Sequence, residues 1–351
     1  MAMLTFAQAI NDALHVAMAA DPAVICYGLG TDDPKAIFGT TKGLQEAFGS
    51  DRVFDMPTAE NAMTGIGIGA ALYGLRPVMS HQRLDFALLS LDQIINNAAK
   101  WHFMFGGRRS VPITIRMILG RGWGQGPTHS QNLQALFAHI PGLKVVMPAS
   151  AADAKGLLLS AIFDPDPVIF LEHRWLHNLK GEVPVDDYRV PLGKAALLTT
   201  GPDLTVVTSS LMTVEAQHAL SFLAQSGIHC DHIDLRTVAP IDWPTIADSV
   251  RRTGGLLVVD TGTLTGSVAG EIVARIGETC FDALRRAPRR LAMPDAPEAT
   301  SPALTRGYHV RAEHIAASIV AMLESSIDIR PLTESRTGPH DVPGDWFTGP
   351  F

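Results

Sequence analysis

Glu60 and His129 are the residues whose setting could support chemistry. Glu60 closes Pro57-Thr58-Ala59-Glu60, a turn that leads into a helix start. A carboxylate in a first helical turn interacts favourably with the helix dipole, so this placement has a plain structural reading. His129 follows the glycine-rich stretch Gly120-Arg121-Gly122-Trp123-Gly124-Gln125-Gly126-Pro127. Glycines allow such a loop to move, and an imidazole at its end can donate a proton or bind a carboxylate near neutral pH. It also reads as a helix cap. Phe86, taken alone, reads as a core aromatic. The pair His173 and His177 has i, i+4 spacing but starts at a strand end and lacks a third ligand signal, so no metal is assigned to it.

Gly65-Ile66-Gly67-Ile68-Gly69-Ala70 matches G-x-G-x-x-A, and Asp85 lies 20 residues after Gly65, as in a dinucleotide fingerprint. The context opposes that reading. The preceding strand ends near Asp55 and the turn at 57–60 already starts a helix, so the glycines fall inside the helix. Ala62, Gly65 and Gly69 share one face of it, which suggests close packing, a subunit interface included.

These residues are positioned by a repeating pattern. A helix over Phe6–Met18 is followed by strands and helices in alternation: strands at 24–27, 52–54, 77–79, 112–115, 143–146 and 168–171, with helices from Glu60, over Leu88–Phe103 and after Ala151. A polar, proline-containing stretch, Leu179–Pro191, reads as a linker. The alternation then restarts with strands at 204–208, 228–235 and 256–260 and helices at 213–225, 244–252, 267–279 and 312–325. The expected fold is α/β, with two doubly wound domains built on mainly parallel sheets, over residues 1–185 and 192–328. Residues 329–351 form a Pro/Gly-rich tail ending in Trp346, Phe347 and Phe351, either loose or laid across a partner.

Composition excludes several classes. The 351 residues are 46% hydrophobic and 18% charged, ample for sizeable cores and unlike a disordered chain. The formal net charge is −7 and the charges are mixed along the chain, which disfavours a nucleic-acid or anionic-membrane partner. Cys26, Cys230 and Cys280 are odd in number and far apart, as suits a reducing compartment. No segment has the length and apolarity of a membrane span, so a cytoplasmic protein is expected.

The stretch RVFDMPTAENAMTGIGIGAALYGLRP (52–77), then Leu91-Asp92-Gln93-Ile94-Ile95-Asn96, Thr128-His129-Ser130-Gln131, Pro141-Gly142-Leu143-Lys144-Val145-Val146 and Ile233-Asp234-Leu235-Arg236-Thr237, in this order, resembles one family. It is the β subunit of thiamine-diphosphate-dependent 2-oxoacid dehydrogenases, the first component of the pyruvate and branched-chain complexes, with a transketolase-like pyrimidine-binding domain and a transketolase C-terminal domain. Two-chain transketolases and acetoin-cleaving enzymes share this architecture. The resemblance implies that Glu60 hydrogen-bonds the aminopyrimidine ring nitrogen and favours the tautomer that generates the reactive ylid. It implies that Phe86 stacks on the ring, that Gln82 and Thr58 flank the cofactor, and that His129 assists substrate binding and acyl transfer to a lipoyl group. Ile113, Ala161, Ile162, Asp164 and Asp166 match positions whose oxygens hold a structural potassium ion, although Asp164 and Asp166 also read as turn residues.

The chain departs from the family at Ser80-His81-Gln82-Arg83-Leu84-Asp85-Phe86 and at Arg121 and Trp123. Arg83 or Arg121 is therefore expected to pair a substrate carboxylate or phosphate. No Gly-Asp-Gly segment is present; Gly344-Asp345 is followed by Trp346. The Mg2+-binding, diphosphate half of the site is thus expected from an α subunit, in an α2β2 heterotetramer. The expected reaction is decarboxylation of a 2-oxoacid with acyl transfer to a lipoyl-domain acyltransferase. A transketolase-like or carboligase reaction is the nearest alternative; a nicotinamide dehydrogenase and a non-catalytic assembly subunit are more distant ones.

Overall fold

The computed structural model describes residues 1–33, 35–122 and 124–349, so the expectations placed on Trp123 and Phe351 lie outside the described residues. Parallel strands dominate, as the alternation requires. A seven-stranded sheet has the spatial order Thr237–Ala239, Lys144–Val146, Val168–His173, Thr114–Leu119, Arg76–His81, Val24–Gly28, Val53–Asp55. All its neighbours are parallel except the first pair. Thr114–Leu119 and Val168–His173 are buried along their whole length, as expected of central strands covered by helices on both faces. Inside this layer Arg116 forms a two-pronged ion pair with Glu172 at 2.7 and 3.0 Å and donates to Ser80 Oγ at 3.1 Å. A buried guanidinium is tolerable only with its charge matched and its donors occupied.

The second half builds a five-stranded sheet, ordered Arg289–Met293, Leu256–Thr263, Thr205–Thr208, Asp231–Asp234, Ala196–Thr199. Three features depart from the sequence expectation. Part of the linker, Lys180–Val183, is a strand paired antiparallel with Ala2–Thr5. The strand Thr237–Ala239, from the second half of the chain, adds to the edge of the first sheet. The helix expected over Leu88–Phe103 is instead a 3-10 turn at Leu88–Ser90, a π-helical stretch at Gln93–Ala98 and an α-helix at Ala99–Met104. Local amide bonds accompany the irregular stretch, Asn96 Nδ2 to Asp92 Oδ1 at 2.8 Å and Asn97 Nδ2 to Gln93 Oε1 at 3.1 Å.

The tail is not loose: it packs on its own chain. After a short helix at Arg330–Glu334, Phe347 is buried, with its ring edge-on to Trp175 at 6.1 Å, and Trp346 stacks on His218. Aromatic burial of this kind outweighs the Pro/Gly content that made the segment read as unstructured.

Candidate active site

Open parallel sheets present ligand-binding residues beyond the carboxyl ends of their strands. Thr58 and Glu60 follow the end of Val53–Asp55, Gln82 and Phe86 follow Arg76–His81, and His129 lies in the loop after Thr114–Leu119. Glu60 is the first residue of the helix Glu60–Leu72 and is 5% exposed. Its carboxylate has no hydrogen-bond or ion-pair partner among the described residues, while its backbone carbonyl accepts from Thr64 Oγ1 at 2.8 Å. Below it, Tyr27, Met56, Met63 and Met79 form a small apolar cluster. Thr58 is exposed.

Within the described residues the glycines of this helix are not equivalent. Gly67, not Gly65 or Gly69, makes the close approach: a Cβ there would lie 2.1 Å from Tyr27 Oη and 3.0 Å from Ile113 Cδ1. Tyr27 in turn donates to the Met63 carbonyl at 3.1 Å, so strand and helix are locked together beside Glu60. A Cβ at Gly65 would meet only the Gln93 side chain, and one at Gly69 would meet nothing in this chain. The face of Ala62, Gly65 and Gly69 opens outward with Ile66 61% and Tyr73 94% exposed.

The segment 81–86 holds the His129 loop at both ends. Arg83 donates to the Gly120 carbonyl at 2.7 Å and to Gln125 Oε1. Asp85 Oδ1 accepts from Gln131 Nε2 at 2.8 Å. Between these anchors Phe86, half-buried, meets the His129 ring edge-on at 5.3 Å. His129 Nδ1 lies 3.0 Å from Thr128 Oγ1, and the residue sits in a turn several residues before the helix Gln134–Ala138, so it is not that helix's cap. Gln82 Nε2 donates to the Leu29 carbonyl at 2.9 Å, which orients its amide at the end of the neighbouring strand. His81 is buried with Nε2 unpartnered, and burial lowers its pKa to about 4, so it is a neutral ring behind Gln82.

The two arginines expected to meet substrate have other partners. Arg83 is buried, its pKa lowered to about 10 by desolvation, and its terminal nitrogens serve the loop. Arg121 is buried as well; it donates to Glu298 Oε1 at 3.1 Å, the Ala299 carbonyl at 2.8 Å, the Thr300 carbonyl at 3.3 Å and Asp341 Oδ2 at 3.2 Å. Among the described residues both guanidiniums are thus engaged within the chain, with Arg83 Nε left without a partner. The residues matched to a potassium site gather at the opposite, amino edge of the sheet. There Lys144 Nζ pairs with Asp164 at 2.6 Å and Asp166 at 3.4 Å, and Arg76 donates to the carbonyls of Ile162 and Asp164 at 3.2 and 3.3 Å. The Ile113 carbonyl accepts from Val168 N at 3.0 Å and that of Ala161 from Asp164 N at 3.2 Å. The turn's oxygens thus have donors, and its acids cations, within the chain itself.

Asp85, Gln131 and Tyr27 shape the site without having been singled out for it. Asp85 drew notice through its spacing from Gly65 and within the departing segment 80–86, and Gln131 as part of the motif at 128–131, but neither was assigned a role, and nothing marks Tyr27.

Residues 2–179 match the transketolase pyrimidine-binding domain and residues 193–315 the transketolase C-terminal domain. The chain is 42% identical over 325 residues to the β subunit of acetoin:2,6-dichlorophenolindophenol oxidoreductase of Cupriavidus necator, covering 90% of this chain and 96% of that one. It is 40% identical over 326 residues to the 2-oxoisovalerate dehydrogenase β subunit of Bacillus subtilis, covering 92% and 100%. It is 40% identical over 296 residues to the pyruvate dehydrogenase E1 β subunit of the same organism, covering 84% and 91%. Among solved structures, a split-gene transketolase described as an inactive beta4 tetramer shares the fold, with a TM-score of 0.75 and 22% identity over 92% of this chain and 100% of that one. The two domain families in this order and the relatives at about 40% identity establish that the chain belongs to the β subunits of the thiamine-diphosphate-dependent 2-oxoacid dehydrogenases, within the transketolase-like superfamily.

Proposed function

We propose that the chain is the β subunit of a heteromeric enzyme that decarboxylates a 2-oxoacid and passes the acyl group to a lipoyl carrier. The observation that carries this is Glu60. A largely buried glutamate whose carboxylate has no partner among the described residues, at a helix start on the ligand-binding edge of a parallel sheet, suits a site whose other wall brings a hydrogen-bond donor. Thiamine diphosphate, when bound, supplies a carbon nucleophile able to attack the carbonyl of a 2-oxoacid. The chain's own residues would hold its pyrimidine half. Glu60 shares a proton with a ring nitrogen, Phe86 offers its aromatic face, Gln82 and Thr58 flank the ring, and His129 stands over Phe86 with an imidazole positioned to give or take a proton.

The diphosphate and Mg2+ fall to an α subunit with a Gly-Asp-Gly motif, in an α2β2 assembly, since this chain has no such motif. The exposed apolar face of Ile66 and Tyr73 is a candidate contact for that assembly. A structural potassium ion at Ile113, Ala161, Ile162, Asp164 and Asp166 would share the turn with Arg76 and Lys144, which donate to its oxygens. No helix among the described residues is long and apolar enough to cross a membrane; the three cysteines are free and buried, as suits the reducing, cytoplasmic setting proposed for the chain.

The name of the Cupriavidus necator relative favours a second reading, cleavage of acetoin in place of a 2-oxoacid. The chain, reconstituted with its α partner, thiamine diphosphate and Mg2+, would be assayed on a 2-oxoacid panel and on acetoin with an artificial electron acceptor, beside an aldehyde-coupling assay. Acceptor reduction with a 2-oxoacid supports the main reading, with acetoin alone the second, and a carbon–carbon product alone a carboligase. Glu60→Gln is expected to abolish turnover by at least about 100-fold while the heteromer still assembles; wild-type rates would remove Glu60 from the chemistry.

A further inference from the structure

Arg83, Arg121 and the tail all depart from the expected pattern, and all three converge on one loop. The tail's share of this is visible in the matches. The alignment to the 2-oxoisovalerate dehydrogenase β subunit takes in all of that protein but 92% of this chain, and the domain matches run from residue 2 to residue 315. The C-terminal domain match ends at residue 315, ahead of the tail.

From the short helix at Arg330–Glu334 the tail runs back over both halves of the molecule. Arg336 pairs with Glu313 at 3.2 Å, Thr337 N and Oγ1 donate to Asp345 Oδ1 at 3.1 and 3.0 Å, and the His340 carbonyl accepts from Arg311 at 3.2 Å. Anchored in this way, the tail reaches the Gly120–Gly126 loop by two routes. Asp341 shares the Arg121 guanidinium with Glu298, so one buried cation is balanced by two carboxylates, one of them from the tail. Phe347 packs against Trp175, whose indole Nε1 donates to the Gly122 carbonyl at 3.3 Å. The loop has little slack beneath these contacts. Gly124 and Gly126 have φ of +62° and +78°, and a Cβ at Gly126 would come within 2.3 Å of Thr300 Oγ1. The loop in turn carries His129, which Arg83 and Asp85 hold against Phe86.

We infer that the C-terminal segment is an intramolecular strap that fixes the glycine-rich loop, with Asp341 and Phe347 as positioning residues that act through Arg121 and Trp175 to set His129 over the cofactor-facing side of Phe86. The structural part stands on the contacts above; the effect on His129 chemistry rests on the β-subunit reading.

Hydrogen exchange of the full-length chain, followed across Gly120–Gln131, tests the strap. Breaking the charge-assisted contact in Asp341→Ala, or the aromatic contact with Trp175 in Phe347→Ala, is expected to speed exchange there by about tenfold, while exchange at Val24–Gly28 stays unchanged. Asp341→Glu, which keeps the anion, is expected to restore protection. In the complete enzyme with its α subunit, Asp341→Ala is expected to lower kcat by about tenfold with its thermal midpoint near that of the wild type, and Asp341→Glu to recover most of it. Loop exchange identical to wild type in both single variants, or loss of protection spread evenly over the whole chain, would overturn the inference. The exchange measurement needs no turnover, so it decides the strap even where the β-subunit reading fails.

Discussion

Among the described residues neither the Glu60 carboxylate nor His81 Nε2 has a partner, and for His81 Nε2, which is fully enclosed, that is a costly arrangement that persists where a site needs it. His81 offers a test at equilibrium. Its pKa falls from 6.5 to about 4 through burial, so between those values the unfolded chain binds a proton that the folded chain does not. Stability from this residue is fully present above pH 6.5 and declines as the pH drops through the window. His173, lowered to about 3, and His232, lowered to about 4, act in the same sense through burial. Asp234, raised to about 7 by burial, acts in the opposite one, since its contribution is lost as pH rises from about 4 to 7. The difference between wild type and His81→Phe isolates the first group. Urea midpoints at pH 7, 6 and 5 should show the variant losing less stability on acidification, by about one proton of linkage; parallel curves would contradict a neutral buried His81.

At the scale of elements, the Glu60 helix depends on one glycine. Gly67→Ala must displace Tyr27 Oη or Ile113, and is expected to destabilise by roughly 1–3 kcal/mol in denaturant unfolding. Gly69→Ala meets nothing and should instead stabilise by up to about 1 kcal/mol through helix propensity. Equal effects at both positions would disprove this packing. The example also marks how far a sequence can be read. The helix itself was legible from the turn at 57–60, but G-I-G-I-G places a glycine on several faces, and nothing local says which face meets Tyr27. Likewise the parallel strands were legible as apolar runs. The ribbon of Ala2–Thr5 with Lys180–Val183, and the strand at Thr237–Ala239, were not, because short strands paired with distant partners carry little pattern of their own. Arg83 and Arg121 were noticed for their charge, but their acceptors lie in the loop, at Glu298–Thr300 and in the tail, separations no spacing rule spans.

At the scale of the whole molecule, one group of exposed apolar residues lies on and around the Glu60 helix. Ile66, Tyr73 and Leu89, from the Glu60 helix and the turns around it, are 61%, 94% and 67% exposed, a surface that water covers at a cost and a second chain would cover at a gain. Ile66→Glu with Tyr73→Glu is expected to leave the chain folded by circular dichroism yet weaken heteromer formation by at least about tenfold in analytical ultracentrifugation. Assembly at wild-type affinity would locate the interface elsewhere. The exchange of Thr237–Ala239 into the first sheet has a bearing on how such a polypeptide could be divided. Its sheet halves look separable, yet a break at the linker would strip Lys144–Val146 of its antiparallel neighbour and leave a bare row of amides and carbonyls at the rim. Expressed alone, the leading half would recruit strands from its own copies and precipitate, whereas both fragments produced together could rejoin through that same rim.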